Sequence, residues 1–382
     1  MKKIILALDS FKGCLTAREA CQAAEAGVKA ADPSCETLCL PLADGGEGML
    51  DLVVEATRGV YRHLTVTGPG GQPVAARYGV WDDGRTAVIE LASASGLTLL
   101  PEKERNPWLT TTYGTGELIR DALDRGCRHV VVGLGGSATN DAGLGLLQAL
   151  GFRFLDAHGR ELGRGGQILE KVTSIDTACL HPALAQTRFT VACDVRNPLY
   201  GPEGAAYVYA PQKGADKAMV ARLDAGLKSL AALISRRFGR DIGSLPGAGA
   251  AGGTGAAFLA FLHAELIPGI RLMMDKWQFG RRITGADLII TGEGRADRQT
   301  VMGKVASGVL AEGQKAGIPV VLVAGSVADT ESLNAAGFRS VFSIQPEPVS
   351  LEEALHPAYA AANLTRVVAQ VVRAITLLKP DC

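Results

Sequence analysis

The two ends of this chain carry one β-α-β texture and the middle does not, an asymmetry that limits the available folds more than any other feature. Near the start, Ile4 to Leu8 is an apolar run, Thr16 and Glu19 form a capping box, and an Ala-rich helix follows until Asp32-Pro33 stops it. Thr37 to Leu40 reads as a second strand, and a helix from about Glu47 to Arg58 is closed by Gly59. The rhythm returns at Asp287, where Leu288 to Thr291, Val320 to Ala324 and Ser340 to Ile344 alternate with helices, the last running from about His356 to Leu378. Two βα units at one end and three at the other are most economically one parallel sheet with an insertion. Two strands alone make a poor domain, which disfavours three successive domains.

The expected fold class is therefore α/β in two domains. A Rossmann- or flavodoxin-like parallel sheet would be built from residues 1–62 and 284–382, with a mixed α/β domain, residues 63–283, inserted between them. In that insertion Thr65 to Val74, Ala76 to Trp81 and Thr86 to Leu91 are separated by Gly, Pro and Asp, as antiparallel strands are.

Charge excludes some partners. Lys plus Arg and Asp plus Glu number 39 each, so no bulk field attracts nucleic acid or an anionic membrane, and a small molecule is the better ligand. The eight cysteines contain no C-x-x-C, which fits reduced thiols in the cytoplasm rather than a disulfide framework or a zinc site. Two lysines and an apolar run open the chain, but Asp9 cuts that run short of a signal peptide's core. No stretch reaches membrane-spanning length. Oligomeric state is not legible.

The polar loops carry the chemistry. GGSATND, Gly135 to Asp141, follows the apolar run Val130 to Leu134, and a helix beginning near Asn140 would point backbone N–H groups at an anion. In the split sheet, DSFKG (Asp9 to Gly13), ADGGEG (Ala43 to Gly48) and TGEGRAD (Thr291 to Asp297) follow strand carboxyl ends, where open α/β sheets bind ligands. They offer Asp9, Ser10, Lys12, Asp44, Glu47, Glu293, Arg295 and Asp297, a mixture suited to an anion and a metal together. CDVRNPLYG leaves Asp194 at a strand end, where a metal-binding or catalytic carboxylate can sit.

Other motifs are weaker. GAGAAGG, Gly247 to Gly253, matches G-x-G-x-x-G and opens a helix through Phe261, but no strand precedes it, so the dinucleotide fingerprint fails its context. Phosphate at that helix start and tight helix packing both remain open readings. PQKGA, Pro211 to Ala215, reads first as a solvated turn, with a phosphate-reaching lysine as the alternative. Gly303-Lys304 is followed by Val305, so the P-loop is absent, and no H-E-x-x-H occurs.

Taken together, DSFKG, ADGGEG, GGSATNDAGLGLLQALG, CDVRNPLYG, PQKGAD, PGAGAAGGTGAA and ADLIITGEGRAD with Gln299-Thr300 and Gly303-Lys304 behind it resemble, in order and over nearly the whole chain, the bacterial glycerate kinases of the type 1 family. The resemblance implies ATP-dependent phosphorylation of D-glycerate, at the 2-hydroxyl, giving 2-phosphoglycerate and ADP in glycerate, glyoxylate or sugar-acid metabolism. ATP and Mg²⁺ are the implied cofactors. On this reading Lys12, Asp194, Arg295 and Asp297 are catalytic, and Asp9, Ser10, Asp44, Glu47 and Glu293 bind substrate. Gly135, Gly136, Ser137, Thr139, Asn140, Asp141, Gly249, Gly252 and Gly253 hold nucleotide phosphates, and Asp194 is the first choice for the metal. Two rivals stand beside it: a nucleotide-dependent dehydrogenase of a small hydroxy acid, and a non-catalytic sensor that closes on a small acid.

Overall fold

The computed structural model describes residues 1–46, 48–301 and 303–376. The chain divides into two compact units, residues 1–44 with 270–382 and residues 45–269. Strand β1 (Lys3–Leu8) is followed by helix α1 (Ala17–Ala31) and β2 (Glu36–Cys39). The capping box forms as the sequence implies: Glu19 N–H donates to Thr16 Oγ1 at 3.2 Å, and Thr16 N–H to Glu19 Oε2 at 2.8 Å. The inserted unit begins with α2 (Met49–Thr57) and β3 (Val60–Thr67), β4 (Pro73–Trp81), β5 (Thr86–Glu90) and β6 (His129–Gly133). It continues through β7 (Arg153–Leu155), β8 (Ser174–Asp176), β9 (Arg188–Ala192) and β10 (Glu265–Ile267). The last three strands are β11 (Leu288–Ala296), β12 (Val320–Val327) and β13 (Ser340–Ser343).

In the first unit these strands form one five-stranded sheet in the order β13-β12-β11-β1-β2, parallel throughout. This α/β arrangement is the flavodoxin-like order, with the winding direction reversing between β1 and β11. Ile4 to Leu8 have no exposed surface, as expected of a central parallel strand covered on both faces. The inserted unit has a mixed six-stranded sheet, β10-β9-β6-β5-β4-β3, in which β3, β4 and β5 are antiparallel and β5, β6, β9 and β10 parallel. The seven described cysteines form no disulfide; Cys382 lies outside the described residues.

Three local readings change. The expected strand Thr65 to Val74 is two strands joined by a turn, in which Gly68 N–H donates to Gln72 O at 2.6 Å and Gly71 N–H to Gly68 O at 3.0 Å. TGEGRAD is not a loop but the end of β11, because Arg295 and Ala296 keep pairing with Ser326 and Val327 of the long β12. Helix α2, grouped in sequence with the chain ends, belongs to the inserted unit: Leu50 N–H donates to Glu90 Oε1 at 2.8 Å, and Leu50 and Val54 pack where Gly79 of β4 leaves room.

Helix α1 lies against the C-terminal helix Pro357–Thr376, with Thr365 Oγ1 donating to Ala23 O at 2.9 Å. A Cβ on Gly27 would meet the carbonyl of Thr365 and the side chain of Val368. Gly27→Ala is expected to cost about 1–3 kcal/mol, since backbone cannot step aside as a side-chain tip can. The measurement is the urea midpoint; an unchanged value would show that the two helices separate freely.

Candidate active site

At the reversal point of the parallel sheet, β1 and β11 end side by side. Asp9 N–H donates to Gly292 O at 2.9 Å, which fixes Asp9 against β11 one step beyond the last β1 residue. Ser10 follows, half-buried, and its N–H donates to Asp9 Oδ1 at 2.6 Å. Lys12 reaches back to Asp44 with Nζ 3.3 Å from Oδ2, its own side chain 77% exposed. Glu293 and Arg295 stand two residues apart on β11, and Arg295 Nε lies 3.4 Å from Asp297 Oδ2. Asp297 is held by its turn: Oδ1 accepts Gln299 N–H at 2.8 Å and its N–H donates to Thr300 Oγ1 at 3.0 Å. Thus Asp9, Lys12, Asp44, Glu293, Arg295 and Asp297 line one end of one sheet, while Glu47 lies outside the described residues.

Burial sets the electrostatics of this group. Asp9 is 7% exposed, and desolvation, reinforced by Asp44 and Glu293, raises its pKa to about 7 against the opposing Ser10 N–H and Lys12. Glu293 is also pushed up by burial, opposed by a hydrogen bond from Thr300 and by Lys304. Its Oε1 is buried without a hydrogen-bond partner among the described residues. Lys12 is raised, chiefly by Asp44. The result is a floor of carboxylates reluctant to ionise, beside two exposed cations.

The inserted unit gathers the other motifs. Gly133 pairs with Ala192, so GGSATND and CDVRNPLYG leave β6 and β9 as neighbours. Asp194 is exposed, and its Oδ1 accepts Gly269 N–H at 3.0 Å. GAGAAGG packs onto both loops: Gly249 N–H donates to Asn197 O at 3.0 Å, and Ala142 N–H to Gly252 O at 3.0 Å. Ala251, Gly252 and Gly253 have φ of 51°, 67° and 91°, so helical geometry within Ala250–Phe261 resumes only after Gly253. A Cβ on Gly252 would strike Thr139 O, which explains the glycine as a close approach between the two loops.

Several expectations about this region need correcting. The helix after GGSATND is only six residues, Leu144–Ala149, and starts later than the sequence suggests, because Asp141 uses its carboxylate to hold the loop. That carboxylate accepts Thr112 N–H and Oγ1 at 2.8 and 2.9 Å, Gly143 N–H at 3.0 Å and Gly145 N–H at 3.3 Å. Ser137, Thr139, Asn140, Asp141, Gly249, Gly252 and Gly253 are all buried, leaving Gly135 and Gly136 as the accessible part of the phosphate loop. Neither amide atom of Asn140 has a hydrogen-bond partner among the described residues. PQKGA is not a solvated turn: Lys213 is 2% exposed and donates to Thr139 O at 2.7 Å and Ser137 Oγ at 3.4 Å. Nothing in the local sequence of PQKGA signals that burial, because its partners are remote in the chain. Arg196, exposed in CDVRNPLYG, and Lys304, near Glu293, were not singled out; both are charges carried inside quoted motifs.

The glycerate kinase family model matches residues 4–376. A glycerate kinase of Bacillus subtilis strain 168 is 46% identical over 378 residues, covering 99% of this chain and 98% of that protein. The chain belongs to the glycerate kinase family. A glycerate 2-kinase of Escherichia coli K12 is 45% identical over 358 residues, 94% of each chain. A solved structure from Salmonella typhimurium LT2, provisionally named glycerate kinase 2, superposes with a TM-score of 0.85 at 46% identity over 98% of both chains. The activity is that of a glycerate kinase, a transferase with an alcohol group as acceptor. The dehydrogenase and sensor readings find no support in these relatives. Among the described residues no helix is long and apolar enough to cross a membrane.

Lys213 gives this glycerate kinase a measurable pH signature. Burial lowers its pKa to about 7, against the nearby Asp141 carboxylate. The unfolded chain then binds the extra proton from about pH 7 to near 10, so folding becomes more favourable as pH rises through that window, and the cost is fully present below it. The thermal midpoint of wild type relative to Lys213→Met is expected to climb between pH 7 and 8.5. Parallel curves would mean that Lys213 is charged and well paired when folded.

Proposed function

We propose that this enzyme transfers the γ-phosphoryl group of ATP to the 2-hydroxyl of D-glycerate, giving 2-phosphoglycerate and ADP, in the cytoplasm and in the use of glycerate derived from glyoxylate or sugar acids. The observation that carries the reading is the paired end of β1 and β11, where exposed Lys12 and Arg295 stand beside buried carboxylates. A small hydroxy acid needs a cation for its carboxylate and an acceptor for its hydroxyl proton, and both chemistries are there. The name of the Escherichia coli relative supports the 2-position.

Phosphoryl transfer asks little covalent help from protein and much alignment and charge neutralisation. Arg295 is the carboxylate clamp, because Asp297 engages Nε alone and the rest of the planar fork stays available, whereas Lys12 is committed to Asp44. Lys12 moderates the charge of the acidic floor. Gly135 and Gly136 supply backbone N–H groups to the triphosphate, and the buried remainder of GGSATND and GAGAAGG keeps that turn in shape. Mg²⁺ enters as part of the nucleotide substrate, neutralising phosphate charge. No group of three acidic, thiol or imidazole side chains suited to a resident metal occurs among the described residues. Asp194 or Asp297 can each supply one oxygen to such an ion.

Two measurements test the proposal. Phosphorus NMR of the product from ATP, Mg²⁺ and D-glycerate is expected to show 2-phosphoglycerate; the 3-phosphate would overturn the regiochemistry. Arg295→Lys is expected to raise KM for glycerate by about tenfold or more, since the charge survives but the bidentate fork does not. An unchanged KM would remove Arg295 from carboxylate recognition.

A further inference from the structure

We propose that Asp9 is the general base of the reaction, accepting the proton of the glycerate hydroxyl as that oxygen attacks the phosphoryl donor. The inference rests on the reading above and names the group that the reading leaves open.

The geometry separates Asp9 from the other carboxylates. Asp44 is engaged by Lys12 at 3.3 Å. Asp297 is tied to its own turn through Gln299 N–H and to Arg295 Nε. Glu293 takes a hydrogen bond from Thr300 and feels Lys304, and its remaining oxygen Oε1, though without a partner among the described residues, is closed off from solvent. Asp194 belongs to the other unit and holds Gly269 N–H. Asp9 alone lies one step beyond the end of β1, at the reversal point of the sheet. One of its oxygens, Oδ1, takes Ser10 N–H, and Oδ2 has no hydrogen-bond partner among the described residues. The Ser10 bond and the Gly292 contact together fix the carboxylate, leaving Oδ2 as the oxygen for a ligand.

The surroundings also suit the task. Facing Asp9 are Lys12 from its own loop, Asp44 from the segment after β2, and Glu293 from β11, with Lys304 and Asp297 behind Glu293. Burial and the two carboxylates raise Asp9 to about 7, close to the value at which a carboxylate is both ionised and basic enough to help. In the step itself, the glycerate O–H bond breaks and its proton goes to Asp9 Oδ2. The new O–P bond forms as the bond from the γ-phosphorus to the β–γ bridging oxygen breaks, and that electron pair leaves on ADP. On product release the proton passes to solvent.

The test compares wild type, Asp9→Asn and Asp9→Glu by coupled ADP release at saturating ATP and Mg²⁺ from pH 5.5 to 9. Wild-type kcat is expected to fall with unit slope below about pH 7. Asp9→Asn should lose roughly 10²–10⁴-fold in kcat and with it the acid limb, while KM for D-glycerate stays within about threefold. Asp9→Glu, a base displaced by one methylene, should recover part of kcat and keep a shifted limb. Asp9→Asn activity within about tenfold of wild type with the acid limb intact, or a defect confined to KM, would overturn the assignment. Stability guards against a trivial loss: the folded-state pKa is raised, so the folded state holds the proton between about pH 4 and 7 and loses stability as pH rises through that range. Asp9→Asn should therefore melt at or above the wild-type temperature at pH 8, and a lower midpoint would itself count against the buried, ionised carboxylate. Wild-type ADP release that does not depend on D-glycerate would overturn the functional reading instead.

Discussion

The parallel ladder between β1 and β11 places Ile4 opposite Leu288 and Leu8 opposite Gly292, so two segments from opposite ends of the chain become neighbours at the centre of one sheet. Everything at the acidic floor follows from that register. A slip of β1 by one residue would turn its side chains to the opposite face and carry Asp9 with them, since side chains alternate along a strand. The register is guarded by burial on both faces: Ile4 to Leu8 and Ile289 to Ile290 are fully buried, and a slip would carry Lys3 or Asp9 into space that apolar side chains fill. Asp287 adds a polar pin at the start of the ladder, its Oδ2 accepting the N–H groups of Lys2 and Lys3 at 2.6 and 3.1 Å.

Much of this was legible in sequence because it is written in local patterns. The apolar run at Ile4, the Thr16/Glu19 capping box and the return of β-α-β texture at Asp287 each depend on neighbours a few residues away. The placement of candidate residues was legible where a polar loop follows a strand end, as at Asp9 in one unit and Asp194 in the other. What escaped was decided by long-range contact. Gly292 and Gly294 look like turn residues, yet β11 continues because β12 is long enough to go on pairing, and Gly325 lets the two backbones approach. Lys213 looks like a solvated lysine until Thr139 O and Ser137 Oγ, remote in sequence, provide its partners. Asp141 reads in sequence as a phosphate-binding residue at a helix start, but four donors from residues 112 to 145 claim it.

Asp9 and Lys213 are both buried ionisable groups brought close to neutrality, yet their surroundings assign them different work. Lys213 spends its hydrogens on a backbone carbonyl and a hydroxyl inside its own unit, so the cost of burial is offset by ordering the loop that carries Gly135 and Gly136. Replacing it would loosen that loop before touching any chemistry. Asp9 has the same kind of desolvation penalty with an oxygen left over and with the exposed Lys12 beside it. A perturbed pKa marks a functional group only when the unused bonding capacity points to a place a ligand can reach.

That distinction bears on how a kinase can work without a P-loop. The P-loop lysine and glycines normally combine phosphate binding with charge neutralisation in one motif. Here the glycines at Gly135-Gly136 are separated in sequence from the cations Lys12 and Arg295, and Lys213, which donates to Thr139 O and Ser137 Oγ just beyond that turn, is buried as a strut. On the reading proposed above, charge on the transferring group is then met by side chains other than a P-loop lysine. For a substrate as small as glycerate this division is reasonable: it has few atoms with which to earn binding energy, so recognition of its carboxylate and activation of its hydroxyl must come from groups a few ångströms apart on one rigid edge. Adjacent parallel strand ends, stiffened by the ladder behind them, meet that demand better than a mobile loop could.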